Sequence, residues 1–248
     1  MAGGIYNLEQ DRLCIVHLLL DRGADVNACD DGNATPLNWA SFGGKVAIAR
    51  VLLDHGAAVG SKGYQGRTPL HSAAEGTSGS RHPSSEGDGI STGIAQLLME
   101  HGADANAQDD DDLTPLHLAS YYGAVEIARV LLDGGARPNS KSIRGRTPLH
   151  AVAEGGDYYS RDNDILVTRL LLERGAEVNV PDGENQTPLH LASYFGKVEM
   201  ILELLNVNAD TNAKNTQGQI PFDLALENPQ LDVNATMLLS WLLRGTSR

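Results

Sequence analysis

Histidine is the residue type in this sequence with the most chemistry to offer, and its spacing is regular. His71, His117, His150 and His190 each close a TPLH tetrapeptide, at 68–71, 114–117, 147–150 and 187–190. Neutral imidazole ligates zinc and titrates near neutral pH, so four matched imidazoles raise the question of metal or acid–base chemistry. The spacing argues against both. One such histidine per recurring segment sets neighbours roughly a helix-packing distance of 8–10 Å apart. That is too far to share an ion whose nitrogen ligands lie about 2 Å away. His55 and His101 end apolar helical runs, where a partial positive charge suits the carbonyl end. His17 aligns with Arg50 as an exposed helix residue, and His82 has no partner set. The run Asp109–Asp112 lacks the DxDxDG spacing and the Glu at the twelfth place that a calcium loop needs, so it reads as a solvated loop. Cys14 and Cys29 form neither a disulfide framework nor a CxxC pair. No nucleophile–base pair or Gly-rich phosphate loop is present. The expectation is no catalysis, no cofactor and no metal.

Composition narrows the partners. The chain has 248 residues, 41% apolar and 21% charged, with only 5% aromatic and a net charge of −13. Such acidity disfavours free nucleic acid and anionic membranes and steers basic partners in. Met1 is followed by the polar run AGGIYNLEQDR, and no apolar run approaches a membrane span. The expected setting is intracellular, in the cytoplasm by default, with the nucleus also open.

The chain repeats itself. TPLN at 35–38 returns as the four TPLH copies and then as IPFD at 220–223, in steps of 33, 46, 33, 40 and 33. A second marker, Gly-Ala, stands at 23–24, 56–57, 102–103, 135–136 and 175–176, with Asn208-Ala209 as its last copy. From each Gly-Ala to the next Thr (or Ile220) the distance is always 12, so the extra 13 and 7 residues fall between the first marker and the second. A base period near 33 marks a stacked-repeat architecture. Each unit reads as helix, turn, helix, extended loop. Thr is the N-cap, Pro opens the first turn, and Leu begins the buried face. TPLHLASYYG (114–123) is a short first helix and VEIARVLLDGG (125–135) an amphipathic second one. Asn33 and Asn185 head sequons, but they stand where Gly66 and Gly145 stand in other units. They are read as turn residues that tolerate the left-handed conformation.

GRTPLH, the LLxHGA and HGAxxNA runs and the 33-residue step resemble the ankyrin repeat over nearly the whole chain. The alternating ASYYG and AAEG units are similar to the large arrays found in fungi. The resemblance implies an all-α ankyrin repeat solenoid of stacked helix-turn-helix units with β-hairpin-like finger loops. It implies a concave face that binds other proteins, no catalysis, and marker histidines that brace their loops by local hydrogen bonds. The expected organisation is a single repeat domain over 1–248. It comprises a truncated first repeat (1–33), then 34–66, 67–112 with an insertion at about 77–89, 113–145, 146–185 with an insertion at about 156–162, 186–218, and a capping repeat at 219–248.

The repeats also alternate. Units beginning at 35, 114 and 187 share A-S-aromatic; those beginning at 68 and 147 share AEG and carry the insertions. Gly3 to Gly23 and Gly155 to Gly175 both span 20 residues, so the N-terminal segment aligns without gaps on an insertion-bearing unit that lacks its first helix. The inward face of the next unit is then expected to be half covered, the chain being either capped another way or a piece of a longer array.

Alignment of the units, with the resemblance, places the partner-binding candidates. Variable first-helix positions fall at Phe42, Glu75, Tyr121, Tyr122, Glu154, Tyr194 and Phe195, and finger tips at Tyr64, Asp110, Asp111 and Arg144. Tyr158 and Tyr159, in the second insertion, are candidate rim contacts. Six of the twelve aromatics sit at the first-helix and finger-tip places, and aromatic rings are what binding hot spots use. The expected function is a protein–protein interaction scaffold that acts as a monomer on a partner with basic and apolar groups. Other readings are a substrate-recruiting or adaptor fragment of a larger protein, and a purely structural spacer.

Overall fold

A computed structural model describes residues 8–76, 87–155 and 161–228. Every regular element among these residues is helical. The chain divides into two compact blocks, Met1–Asp110 and Asp111–Arg248. The first holds α1 (Leu8–Asp21), α2 (Pro36–Phe42), α3 (Val46–Asp54), α4 (Pro69–Gly76) and α5 (Gly87–Glu100). The second holds α6 (Pro115–Tyr121), α7 (Val125–Asp133), α8 (Pro148–Glu154), α9 (Arg161–Glu173), α10 (Pro188–Tyr194), α11 (Val198–Asn206) and α12 (Pro221–Glu227).

Each marker places a helix start. Thr35, Thr114, Thr147 and Thr187 are N-caps in extended conformation, and proline opens the helix that follows. These first helices are seven residues long, below the dozen or so that an isolated helix needs to be even marginally stable. Packing must supply the difference. The marker leucines Leu37, Leu70, Leu116, Leu149 and Leu189 are fully buried. First helices lie side by side, α2 on α4 in one block, and α6, α8, α10 and α12 in succession in the other. Alanines such as Ala74, Ala119, Ala153 and Ala192 are buried on these helices, where small side chains permit close approach. Second helices cover them through stripes such as Ile94, Leu97 and Leu98 on α5.

Within each block the marker side chain ties one repeat to the next. His150 Nδ1 accepts the Thr147 backbone N–H at 3.1 Å and the Thr147 hydroxyl at 2.9 Å. Its Nε2–H donates to the Gln186 carbonyl at 3.0 Å, 36 residues on. His117 and His190 repeat this with the Arg146 and Gln219 carbonyls. In the first marker Asn38 takes the histidine place, and it identifies the tautomer. Its Oδ1 accepts the Thr35 N–H and its Nδ2 donates to the Arg67 carbonyl. An amide has one accepting and one donating end, so the imidazole in the same frame carries its proton on Nε2 and is neutral. In the last marker the Asp223 carboxylate accepts the Ile220 N–H.

A second tie runs through asparagines that follow Gly-Ala. Asn139 donates to the Gly175 carbonyl and accepts the Glu177 N–H, and Asn27 and Asn179 do the same for their neighbours. Finger tips join by single backbone bonds, Asp110 N–H to the Gln65 carbonyl in one block, Ile143 to Asp111 and Gly183 to Arg144 in the other. Asn33 and Asn185 hold φ of 60° and 57°, the left-handed region that Gly66 and Gly145 occupy at the same place.

The second helices of the insertion-bearing repeats start early. Helix α5 begins at Gly87, inside the segment assigned to the insertion at 77–89, and α9 begins at Arg161, inside that at 156–162. Each insertion therefore gives its last residues to a longer second helix. The other residues of both insertions, and most of the repeat at 219–248, lie outside the described residues. Among the described residues no helix is long and apolar enough to cross a membrane.

Helix α1 and helix α9 align residue for residue, yet their surroundings differ. Ile15, Leu18 and Leu19 are 55–56% exposed, while their counterparts Val167, Leu170 and Leu171 are at most 3% exposed. Local opening costs little where few apolar contacts hold a helix. Amide exchange should therefore be faster over residues 8–21 than over 163–173; equal protection in a hydrogen-exchange experiment would contradict this.

The imidazole ties also set a pH dependence. Burial lowers the His150 pKa from 6.5 to about 4, against a smaller opposing effect of the Gln186 hydrogen bond. His190 is lowered for the same reason. Between pH 6.5 and about 4 the unfolded chain binds a proton that folded His150 refuses. Its contribution is thus full above that window and is lost as pH falls through it, by about 3 kcal/mol at the lower end. The variant His150→Asn, which copies Asn38, keeps both hydrogen bonds without a titrating group. Its melting temperature should fall less than that of the wild type between pH 7 and pH 4.5; identical slopes would refute the assignment.

Candidate partner-binding surface

Ring pairs at the ends of first helices are the main feature. In the second block Tyr121 and Tyr122 meet edge to face, with centroids 5.1 Å apart, at the end of α6. Tyr194 and Phe195 repeat the arrangement at 5.1 Å at the end of α10. In each pair the first ring is exposed, Tyr121 by 43% and Tyr194 by 41%, and the second is half-buried. The inner ring thus props the outer one, a favourable geometry for two aromatic quadrupoles.

In the first block Phe42 is exposed at the end of α2, and Tyr64 stands exposed at the next finger tip. Phe42 meets Trp39 edge to face at 6.4 Å. Trp39 is 59% exposed and was not among the sequence candidates. Other repeats place Leu118, Leu191 and Leu224 there, all buried, so the position reads as core from the pattern. The signal that finds Trp39 is a ring too large for a site that holds Leu, Ala or Ser in the other repeats.

The acidic candidates separate into two kinds. Asp110 and Asp111 are exposed at finger tips. Glu75 and Glu154 are held inward. Arg67 pairs with Glu75 at 2.6 Å and with buried Asp109 at 3.6 Å. Arg146 pairs with Glu154 and, at 3.2 Å, with buried Asp182. Each arginine precedes an insertion-bearing marker, so the alternation of repeats has an electrostatic counterpart. The charges of Glu75 and Glu154 are met inside the protein, and these residues brace the surface. Arg144 is exposed at its tip, where its carbonyl accepts the Gly183 N–H. Tyr158 and Tyr159 lie outside the described residues.

The glycine of the AEG segment has a steric role. A Cβ on Gly155 would strike the Tyr121 carbonyl oxygen, and one on Gly76 would strike that of Phe42. An insertion-bearing repeat thus lies directly against the backbone that carries the exposed ring. Beside it, the Lys197 ammonium donates to the Val152 carbonyl at 2.7 Å and to that of Gly155, and pairs with Asp164 at 2.9 Å. These bonds satisfy carbonyls at the end of α8 that the helix leaves without partners.

The marker histidines do not reach this surface. All four are at most 1% exposed, and among the described residues no three His, Cys, Asp or Glu side chains are placed to hold a metal. What the arrangement offers is contact chemistry: apolar rings, phenol hydroxyls, and carboxylates at the finger tips.

Comparison with known proteins agrees with this architecture. A family model described as "Ankyrin repeats (3 copies)" matches residues 6–81 and 88–160. One described as "Ankyrin repeats (many copies)" matches 171–225, and a single-repeat model matches 65–110 and 144–183. Among solved structures, the crystal structure of the human ASB11 ankyrin repeat domain is similar, with a TM-score of 0.73 and 30% sequence identity. The match covers 93% of this chain and 94% of that one. Ankyrin repeats generally mediate protein–protein interaction and typically serve as non-enzymatic scaffolds. From its markers, its helix pairs and these matches, the chain belongs to the ankyrin repeat family.

Proposed function

We propose that this protein is a scaffold whose first helices and finger tips bind a partner protein. The observation that carries the reading is the pair of aromatic ledges at equivalent places, Tyr121 on Tyr122 and Tyr194 on Phe195. Each leaves a ring more than 40% exposed on a helix whose packing is already completed by buried Leu and Ala. Rigid aromatic rings bring large contact area at small entropic cost, which is why they anchor interfaces. Phe42 and Tyr64 serve the same role in the first block. The net charge of −13 and the exposed Asp110 and Asp111 favour a partner that carries basic groups beside its apolar ones. Arg144 would meet an acidic group at the edge of the contact.

Capture of partners from cell extract, followed by titration of the protein recovered, tests this. Tyr121→Ala and Tyr194→Ala should each weaken binding by about 5- to 30-fold, the range of a hot-spot ring, with unchanged helicity. Unchanged affinity combined with a lower melting temperature would reassign the rings to packing.

A further inference from the structure

The position five residues before a helix-starting marker is a carboxylate at Asp30, Asp109 and Asp182, Asn215 in the last repeat, and Gly63 or Ser142 ahead of the two insertion-bearing markers. At Asp30, Asp182 and Asn215 the loop-side oxygen has the same job. Asp182 Oδ1 accepts the N–H groups of Glu184 and Gln186. Asp30 Oδ1 accepts those of Gly32 and Ala34. Asn215 Oδ1 accepts those of Gln217 and Gln219. The second oxygen distinguishes the repeats. At Asp109 and Asp182 it faces a guanidinium, from Arg67 and Arg146. At Asp30 it accepts the indole N–H of Trp39 at 2.8 Å.

Asp30 thus occupies the place at which Asp109 and Asp182 meet a guanidinium. It is exposed, and no cation among the described residues pairs with it. A carboxylate offers about four lone-pair directions; three are used here, and one on Oδ2 stays open. The hydrogen bond fixes the orientation of Trp39, whose ring is 59% exposed and is flanked by Phe42. Donation to an anion also pushes electron density into the indole, which strengthens the attraction of its face for a cation. Asp31 adds a second exposed carboxylate next in sequence.

We propose that Trp39 and Asp30 form a receptor for an arginine side chain of the partner protein, with the guanidinium stacked on the indole and directed at Asp30 Oδ2. Arginine is favoured over lysine because its planar group stacks and donates along one edge at the same time. The assignment rests on the partner-binding reading above and names one chemical group that the partner brings.

Fluorophore-labelled Gly/Arg peptide, titrated by anisotropy into the full chain at about 150 mM salt, tests it, with Gly/Lys and Gly/citrulline peptides as counterparts. Both variants have precedents within the chain. Asp30→Asn copies Asn215, which makes the same loop bonds without charge, and Trp39→Leu copies Leu118 and Leu191. Each should weaken the arginine peptide by about fivefold or more, whereas Asp54→Asn, an equal charge change at an exposed second-helix position, should not. The lysine peptide should bind more weakly and the citrulline peptide more weakly still. Binding indifferent to both Asp30→Asn and Trp39→Leu, or equal binding of the citrulline peptide, would overturn the receptor. Partner capture through Tyr121 and Tyr194 reads other residues, so its loss in those variants alongside indifference here would reject only this assignment.

Discussion

The imidazole of the repeated marker holds the stack together at both scales. It closes the first turn of its own helix through Nδ1 and holds the carbonyl before the next helix through Nε2. A seven-residue helix has little stability alone. The side chain that caps it also anchors its neighbour, so the local and the long-range bond come together. Both need the neutral ring, and burial keeps it neutral. Asn38 achieves the same frame with an amide and Asp223 achieves half of it with a carboxylate. The geometry of one acceptor and one donor is what the fold requires, and histidine is the commonest way to supply it here.

On this frame the repeats take on alternate duties. Insertion-bearing repeats contribute arginines that reach both the end of their own first helix and a buried aspartate in the next finger. They also contribute the glycines that let one helix end press against the backbone of the previous one. The intervening repeats, relieved of that bracing, carry the exposed rings. Among the described residues, the arginine–glutamate pairs and the exposed aromatic rings thus fall in different repeat types. Glu75 and Glu154 are paired with arginines, while Asp110 and Asp111 at the finger tips are exposed.

Asp30 and Trp39 show how the frame can be turned to a different use. The same carboxylate position that elsewhere holds an internal arginine orients an exposed indole. Little else changes, because the two loop hydrogen bonds on Oδ1 are kept. A repeat protein can therefore vary its surface chemistry at one position and leave the loop beneath it intact, since successive repeats are joined by backbone and marker bonds that do not involve that oxygen.

Local features were legible in the amino-acid sequence alone. Thr before Pro places an N-cap, and Asn33 and Asn185 take the left-handed turn of their glycine counterparts, because these are matters of a few adjacent residues. The markers located every first helix in the described residues for the same reason. Features that depend on partners far along the chain emerged only on folding. Glu75 and Glu154 look like surface acids until arginines eight residues away fold onto them. Trp39 occupies a place that pattern assigns to the core, and only the neighbouring loop shows it exposed and tethered. The early starts of α5 and α9 run against the Gly and Ser or Asp content of their first turns. Lys197 reaches a carbonyl 45 residues before it. No spacing rule encodes such contacts, because stacking brings together residues that are distant in the chain.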